Sequence, residues 1–203
     1  MTENEIEKYI MEMGSDDLPT FGGTFEGGIH CQQIPDEITP CIKAIMDSKF
    51  KVESYLEIGV AAGGTTFLMN HFFKPGTIIL IDDNKHHKAG HRSGILTGIN
   101  YKELIGRSDD AAVINAAFEL APFDVIFIDG DHNYPGVKLD VVTYLPMLRR
   151  GGFLILHDSQ LTEWGVFRVT AELKADASVT LVDEFVSKKH HRPLGVALFR
   201  KAV

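Results

Sequence analysis

Phe123-Asp-Val-Ile-Phe-Ile-Asp-Gly-Asp-His-Asn-Tyr134, read together with Gly151-Gly-Phe-Leu-Ile-Leu-His-Asp158 downstream, decides the fold of this chain. Each stretch is an apolar run that stops at ionisable groups. The continuous hydrophobicity of residues 125–128 suits a strand covered on both faces, as in a parallel sheet between helical layers. Asp129, Asp131 and His132 arrive where that strand must end, and His157 and Asp158 end the second run the same way. Ligands of open parallel sheets bind beyond the carboxyl ends of the strands. The two endings therefore predict carboxylates and imidazoles around one cleft.

Outward from these runs the chain alternates. Strands are expected at 54–58, 77–81, 101–105, 125–128 and 153–156. Helical patterns lie between them: Thr65, Leu68, Met69 and Phe72; then 111–120; then Val137, Val141, Leu145 and Leu148. Ile38, Cys41, Ile42, Ile45 and Met46 mark one face of a helix over 36–49, with Thr39-Pro40 read as its cap and first position. Repeated β-α units imply an α/β Rossmann-like, doubly wound sheet, mostly parallel, with helices on both faces. After a helix over 163–174, the runs 179–185 and 195–200 follow with no helix between them. They predict an antiparallel hairpin at the sheet edge. The segment 84–98, rich in Lys, His and Gly, is expected to be a short helix with a loop. No linker is visible, so residues 1–203 read as a single domain, with 1–35 an accessory segment whose glycines Gly22, Gly23, Gly27 and Gly28 suit a flap or a surface arm.

The first strand runs into Tyr55-Leu-Glu-Ile-Gly-Val-Ala-Ala-Gly-Gly-Thr-Thr66. Gly59 suits a turn closed to other residues, and Gly63 and Gly64 open the next helix. The spacing departs from the Gly-x-Gly-x-x-Gly dinucleotide fingerprint, and no phosphate-loop Lys-Ser/Thr follows. Glu57 puts a carboxylate beside the turn, which suits an amine-bearing ligand better than a pyrophosphate. The second strand ends at Ile81-Asp82-Asp83, where an acidic group can accept from a ribose diol. Asp82 is the first choice and Asp83 the second. Ser108 and Asp109, after the third strand, either reach a nucleobase or cap the next helix.

The net charge of −8 argues against a nucleic-acid partner. No apolar run approaches the roughly 20 residues of a membrane span, and the acidic N-terminus lacks the features of a secretory signal. Cys31 and Cys41 read as small buried hydrophobes suited to a reducing compartment. A cytoplasmic protein acting on a small molecule, with homo-oligomerisation left open, is the expectation.

The combination resembles the class I S-adenosylmethionine-dependent methyltransferases, and more narrowly the group containing cephalosporin-hydroxylase-like and macrocin-type sugar O-methyltransferases. The residues that carry the resemblance are Leu56-Glu-Ile-Gly-Val-Ala-Ala-Gly63, Ile81-Asp82, 123–132, Tyr134, Asp140, Leu148-Arg-Arg-Gly-Gly152 and His157-Asp158. It implies a seven-stranded sheet whose last strand is antiparallel, and S-adenosylmethionine held by Glu57, Gly59, Ala61, Gly63, Asp82, Ser108, Asp109 and Asp129. It also implies a divalent metal, usually magnesium, held by Asp129 and Asp158 with His157 beside them. Relatives commonly have an acidic residue where this chain has His157, and an imidazole shifts a donor set toward manganese, iron or zinc. His132 resembles the group's general base.

From the residues themselves, methyl transfer to a hydroxyl needs alignment, a route for the proton and stabilisation of the developing charge. Asp129, Asp158 and His132 suit the last two needs, with His157 a ligand, a second base or an orienting partner. Asp131 is read as a helix cap, and Asp140 as an orienting or solvated helix residue. The clusters His86, His87, His91 and His190, His191 read as solvated loops. Trp164 either walls the acceptor pocket or packs a helix, and Gln32 and Gln33 are candidates to bond substrate or cofactor. The rival readings are a nicotinamide-dependent oxidoreductase and a non-catalytic domain that kept the cofactor fold.

Overall fold

The computed structural model describes residues 1–14, 27–189 and 194–203. Seven strands form one sheet: β1 (Ser54–Ile58), β2 (Thr77–Asp82), β3 (Lys102–Ile105), β4 (Phe123–Ile128), β5 (Leu148–His157), β6 (Val179–Phe185) and β7 (Val196–Lys201). Their order is β3-β2-β1-β4-β5-β7-β6. The pairs β1–β2, β2–β3, β1–β4 and β4–β5 are parallel, and β7 runs antiparallel to both β5 and β6. The C-terminal hairpin is thus present, with the last strand inserted between β5 and the edge strand β6. Every residue of β1 and β4 is buried, including the polar Ser54, Glu57 and Asp124, as central strands covered on both faces require.

Helices cover both faces. Ile6 and Ile10 of α1 (Glu3–Met13), Ile38, Ile42 and Ile45 of α2 (Pro35–Asp47), Leu68 and Met69 of α3 (Gly64–Phe73), and Leu96 just after the short α4 (Arg92–Ile95) pack on one side. Val113 of α5 (Ala111–Phe118), Val137 and Val141 of α6 (Tyr134–Tyr144), and Val166 and Val169 of α7 (Gly165–Lys174) pack on the other. Two expectations are corrected. Helix α2 starts at Pro35, so Pro40 lies inside it and Thr39 is not its cap. The N-terminal segment is not merely a loose arm: Thr2 and Glu5 form a reciprocal capping box, and α1 buries Ile6 and Ile10 completely. The proposed flap glycines Gly22 and Gly23 lie outside the described residues, as do His190 and His191.

The strand order reverses between β1 and β4. The crevice beyond their carboxyl ends is the usual ligand position in this architecture. Gly59 N–H donates to the Ile81 carbonyl at 2.9 Å and Asp129 N–H to the Ile58 carbonyl at 2.8 Å, so pairing continues one residue past the strands and fixes both turns.

Candidate functional site

A cleft of about 530 Å³ opens along these strand ends, within the range of small-molecule sites. Its wall includes Gly59, Val60 and Ala61 after β1, Asp82 and Asp83 at the end of β2, Ser108 after β3, Asp129 to His132 after β4, and His157 and Asp158 at the end of β5. His30, Gln32 and Gln33 close it from the segment before α2, while Trp164 and Leu194 close the far side.

At the glycine loop, Gly59 has φ +82°, and a Cβ there would lie 2.1 Å from the Asp129 carbonyl oxygen. No side chain fits between the two turns. Asp82 Oδ2 accepts from Val60 N–H at 2.7 Å and Ala61 N–H at 3.1 Å, and its Oδ1 accepts from Asn84 N–H at 2.7 Å. Burial opposes its charge. The loop amides and the Arg92 guanidinium outweigh that and hold its pKa below the ordinary carboxylate value. Asp82 therefore braces the loop as well as lining the cleft. Arg92, in the segment expected to hold a short helix, is 3% exposed and donates to the Ala61 carbonyl through Nε (3.0 Å) and Nη2 (2.7 Å). Sequence reasoning missed it, because a buried arginine carries no local signal in a Lys- and His-rich stretch.

The cluster after β4 and β5 is compact. His132 Nε2 lies 2.7 Å from Asp158 Oδ2. His157 Nδ1 lies 3.2 Å from both Asp129 Oδ1 and Asp158 Oδ2. Gln33 Nε2 donates to Asp129 Oδ2 at 3.0 Å. Burial disfavours every charge here. For both imidazoles the facing carboxylates win, raising His132 to about 9 and His157 well above its ordinary value. The imidazoles reciprocally hold Asp129 and Asp158 below the usual carboxylate range. Two carboxylates and two imidazoles thus balance one another. Asp158 sits at φ +61°, a left-handed conformation that aspartate tolerates better than most residues. Its Oδ1 and His157 Nε2 are buried with no hydrogen-bond partner among the described residues. Asp129, His132 and Asp158 each present one ligand atom, all within 4.8 Å of one another. This tight triple contains His132, whereas the expected ligand set contained His157.

Not every expected residue reaches the cleft. Glu57 is 1% exposed and lies beneath the wall, accepting from the Tyr55 hydroxyl at 2.7 Å and the Thr66 hydroxyl at 2.6 Å. Burial, against those two hydrogen bonds, raises its pKa to about 8. Gly63 is also off the wall; it caps α3 at φ +87° against Leu96 and Arg92. Asp109 turns outward onto Arg107 at 2.8 Å. Asp131 does not cap α6 but accepts from Asn133 N–H at 2.8 Å in a tight turn. Trp164 does line the cleft, its ring 4.3 Å from that of His132. Ser108 lines it too, and its carbonyl accepts from the Tyr144 hydroxyl at 2.8 Å. Asp140 is buried on α6, and burial raises its pKa to about 6.

A family model described as a methyltransferase domain matches residues 56–159, just over half of the chain and all of the rim from β1 to Asp158. The chain belongs to this methyltransferase-domain family. Among curated relatives, an 8-demethyl-8-α-L-rhamnosyl tetracenomycin-C 2'-O-methyltransferase of Streptomyces olivaceus is 25% identical over 145 residues, covering 67% of this chain and 36% of that protein. An L-olivosyl-oleandolide 3-O-methyltransferase of Streptomyces antibioticus is 23% identical over 168 residues, covering 77% and 41%. The chain thus spans well under half the length of these two relatives. Among solved structures, the O-methyltransferase TomG of Streptomyces achromogenes in complex with SAM gives a TM-score of 0.67 at 15% identity, over 96% of this chain and 89% of that one. MycE methyltransferase in complex with Mg, SAH and mycinamycin VI gives 0.59 at 19% identity, over 93% and 55%. At these identities the structural likeness establishes the seven-stranded fold alone. No helix among the described residues is long and apolar enough to cross a membrane.

Proposed function

We propose that this methyltransferase-family chain transfers a methyl group from S-adenosylmethionine to a hydroxyl of a small molecule, assisted by a divalent metal ion. One observation carries the proposal: the cleft beside the glycine loop ends at the Asp129, His132 and Asp158 cluster. The two Streptomyces relatives are named for O-methylation of a rhamnosyl and an olivosyl compound, which supports a glycosyl hydroxyl as acceptor. Bound S-adenosylmethionine supplies the electrophilic methyl group.

The donor set fits a divalent ion. Two converging carboxylates offer hard oxygen ligands, and the orphaned Asp158 Oδ1 has capacity to spare. Asp129 and Asp158 would hold the ion, with His157 Nδ1 facing both carboxylates. Held there, it would polarise the acceptor oxygen and lower the pKa of its hydroxyl. The carboxylate oxygens suit magnesium, and a nitrogen donor from His157 would shift the preference toward manganese, iron or zinc.

His132 is the proton acceptor in this scheme. Its side chain is 38% exposed to the cleft, whereas His157 is 4% exposed. Asp158 orients the ring at 2.7 Å, and Trp164 packs against it. General-base catalysis of this kind contributes about 10²–10⁴-fold. The imidazole must be neutral to act. With cationic charge bound at Asp129 and Asp158, the carboxylates no longer favour the imidazolium. Trp164 and Leu194 narrow the cleft on the acceptor side and restrict water.

Thermal-shift measurements with S-adenosylmethionine, S-adenosylhomocysteine and NADH, each with and without manganese, test the assignment. The two sulfur nucleosides should stabilise the protein, and manganese should add to the effect. Stabilisation by NADH alone would overturn the proposal.

A further inference from the structure

We propose that Arg92 is a positioning residue for the cofactor: together with Asp82 it holds Ala61 of the glycine loop in a left-handed backbone conformation, and it alone takes the Ala61 carbonyl with a side-chain fork. The inference rests on reading this cleft as the S-adenosylmethionine site. Ala61 has φ +47° although it carries a Cβ. Such residues persist where the surroundings over-determine them. Both peptide groups around Ala61 are pinned. Its N–H donates to Asp82 Oδ2 at 3.1 Å, and its carbonyl takes the Nε and Nη2 edge of Arg92 at 3.0 and 2.7 Å.

The guanidinium is itself fixed. Nη1 donates to Asn84 Oδ1 at 2.7 Å and to the Glu103 carboxylate, while Nη2 lies 3.1 Å from Asp82 Oδ1. One buried side chain thereby ties α4, the β2 end, β3 and the glycine loop together. A planar five-donor fork makes this set of contacts and an ammonium does not. Ala61 and Asp82 line the cleft, while Arg92 does not, so Arg92 acts through the loop. Its hydrogen bonds and ion pairs go to Ala61, Asn84, Glu103 and Asp82, and not to Asp129, His132, His157 or Asp158.

The experiment measures binding of S-adenosylhomocysteine and of manganese by calorimetry for wild type, Arg92→Met, Glu103→Gln, Ala61→Gly and the double variant Ala61→Gly/Arg92→Met. Releasing a left-handed alanine corresponds to roughly a 5- to 30-fold loss of nucleoside affinity in Arg92→Met, with manganese affinity unchanged. Glycine takes the left-handed conformation without help, so the double variant should regain most of the lost affinity. A merely structural role for Arg92 would not yield that rescue. Glu103→Gln, which removes charge from one partner at a half-buried position, should weaken the nucleoside in the same direction by a smaller factor, and it serves if Arg92→Met does not fold. Equal nucleoside binding by wild type, Arg92→Met and Glu103→Gln overturns the role of Arg92. Weak binding that Ala61→Gly fails to restore overturns the left-handed-loop argument. A wild type that binds no nucleoside overturns the underlying assignment of the cleft instead.

Discussion

Gly59→Ala probes whether the β1 and β4 turns must touch for the site to exist. The new Cβ would lie 2.1 Å from the Asp129 carbonyl oxygen, 2.5 Å from its carbon and 2.7 Å from Gly130 Cα. All three are backbone atoms, so no side chain can swing aside, and relief requires the strand ends to separate by more than 1 Å to reach ordinary contact near 3.4 Å. Left-handed alanine costs about 1–2 kcal/mol, and overpacking adds about 1–3 kcal/mol. The sum, about 2–5 kcal/mol, is a large part of the roughly 5–15 kcal/mol that stabilises a domain. At about 2–4 °C per kcal/mol for a chain of this size, the melting temperature should fall by roughly 4–20 °C. The strain falls on Asp129, so manganese affinity should drop as well, and a displacement near 1 Å can cost about 10²-fold in turnover. Gly94→Ala is the matched control: nothing lies within 4 Å of its added Cβ, and it sits in α4 without a positive φ. It should leave stability unchanged or raise it by about 0.4–1 kcal/mol. Differential scanning fluorimetry and manganese calorimetry read both variants. If Gly59→Ala melts and binds manganese like Gly94→Ala, the close approach of the turns is not what builds the site.

Three further outcomes are expected. Asp158→Asn, which keeps a residue tolerant of the left-handed conformation, should abolish manganese binding measured by calorimetry; His157→Ala should weaken it and His132→Ala should not, so loss in His132→Ala alone would make His132 a ligand rather than the base. In metal-free protein the cluster should add stability between the carboxylate value of 3.8 and the imidazole value of 6.5, lose it as pH falls and the depressed Asp129 and Asp158 protonate, and lose it as pH rises toward about 9 and His132 deprotonates; urea unfolding in EDTA that is as stable at pH 9 as at pH 5.5 would contradict this. Glu57 has a folded pKa raised from 4.5 to about 8, so its neutral form is favoured by folding and its contribution is lost as pH rises through that window; Glu57→Gln should match or exceed wild-type stability at pH 8 and still bind S-adenosylhomocysteine, and loss of nucleoside binding would show that Glu57 contacts the ligand after all.

The fold was legible wherever burial on both faces left a continuous apolar run. Val125–Ile128 and Phe153–Leu156 read as strands because each is an apolar run with both faces covered, and their ends led to Asp129, His132, His157 and Asp158, which line the cleft. Misreadings arose where one residue type serves two geometries. Pro40 suited a helix start, yet Ile34-Pro35 supplies the real one, since proline fits the first turn at either place and only packing of Ile38, Ile42 and Ile45 selects between them. Helix α1 was within reach: Thr2-x-x-Glu5 followed by Ile6 and Ile10 is a capping box with an i, i+4 apolar pair. Glu57 lies off the cleft wall for a different reason. A carboxylate beside a glycine turn looks like a ligand group, but strand alternation aims it at Tyr55 and Thr66, whose hydroxyls occupy it. Direction along a strand is legible only once its neighbours are known.

The same limit explains the site's electrostatics. Each of Asp129, His132, His157 and Asp158 reads in sequence as a separate candidate, and their mutual balance appears only when β4 and β5 lie side by side with Ile128 opposite Leu156. That register brings His132 and His157 onto the same two carboxylates, at 2.7 and 3.2 Å from Asp158 Oδ2. An imidazole pair so placed neutralises the carboxylates in the absence of metal, and an ion binding there competes with those protons. Manganese affinity should therefore rise with pH as His132 and His157 deprotonate, and binding should release protons. Calorimetry in buffers of different ionisation enthalpy counts them directly. Manganese binding with no proton release at pH 7 would mean that the imidazoles are already neutral, and the charge balance argued for the cluster would fall with it.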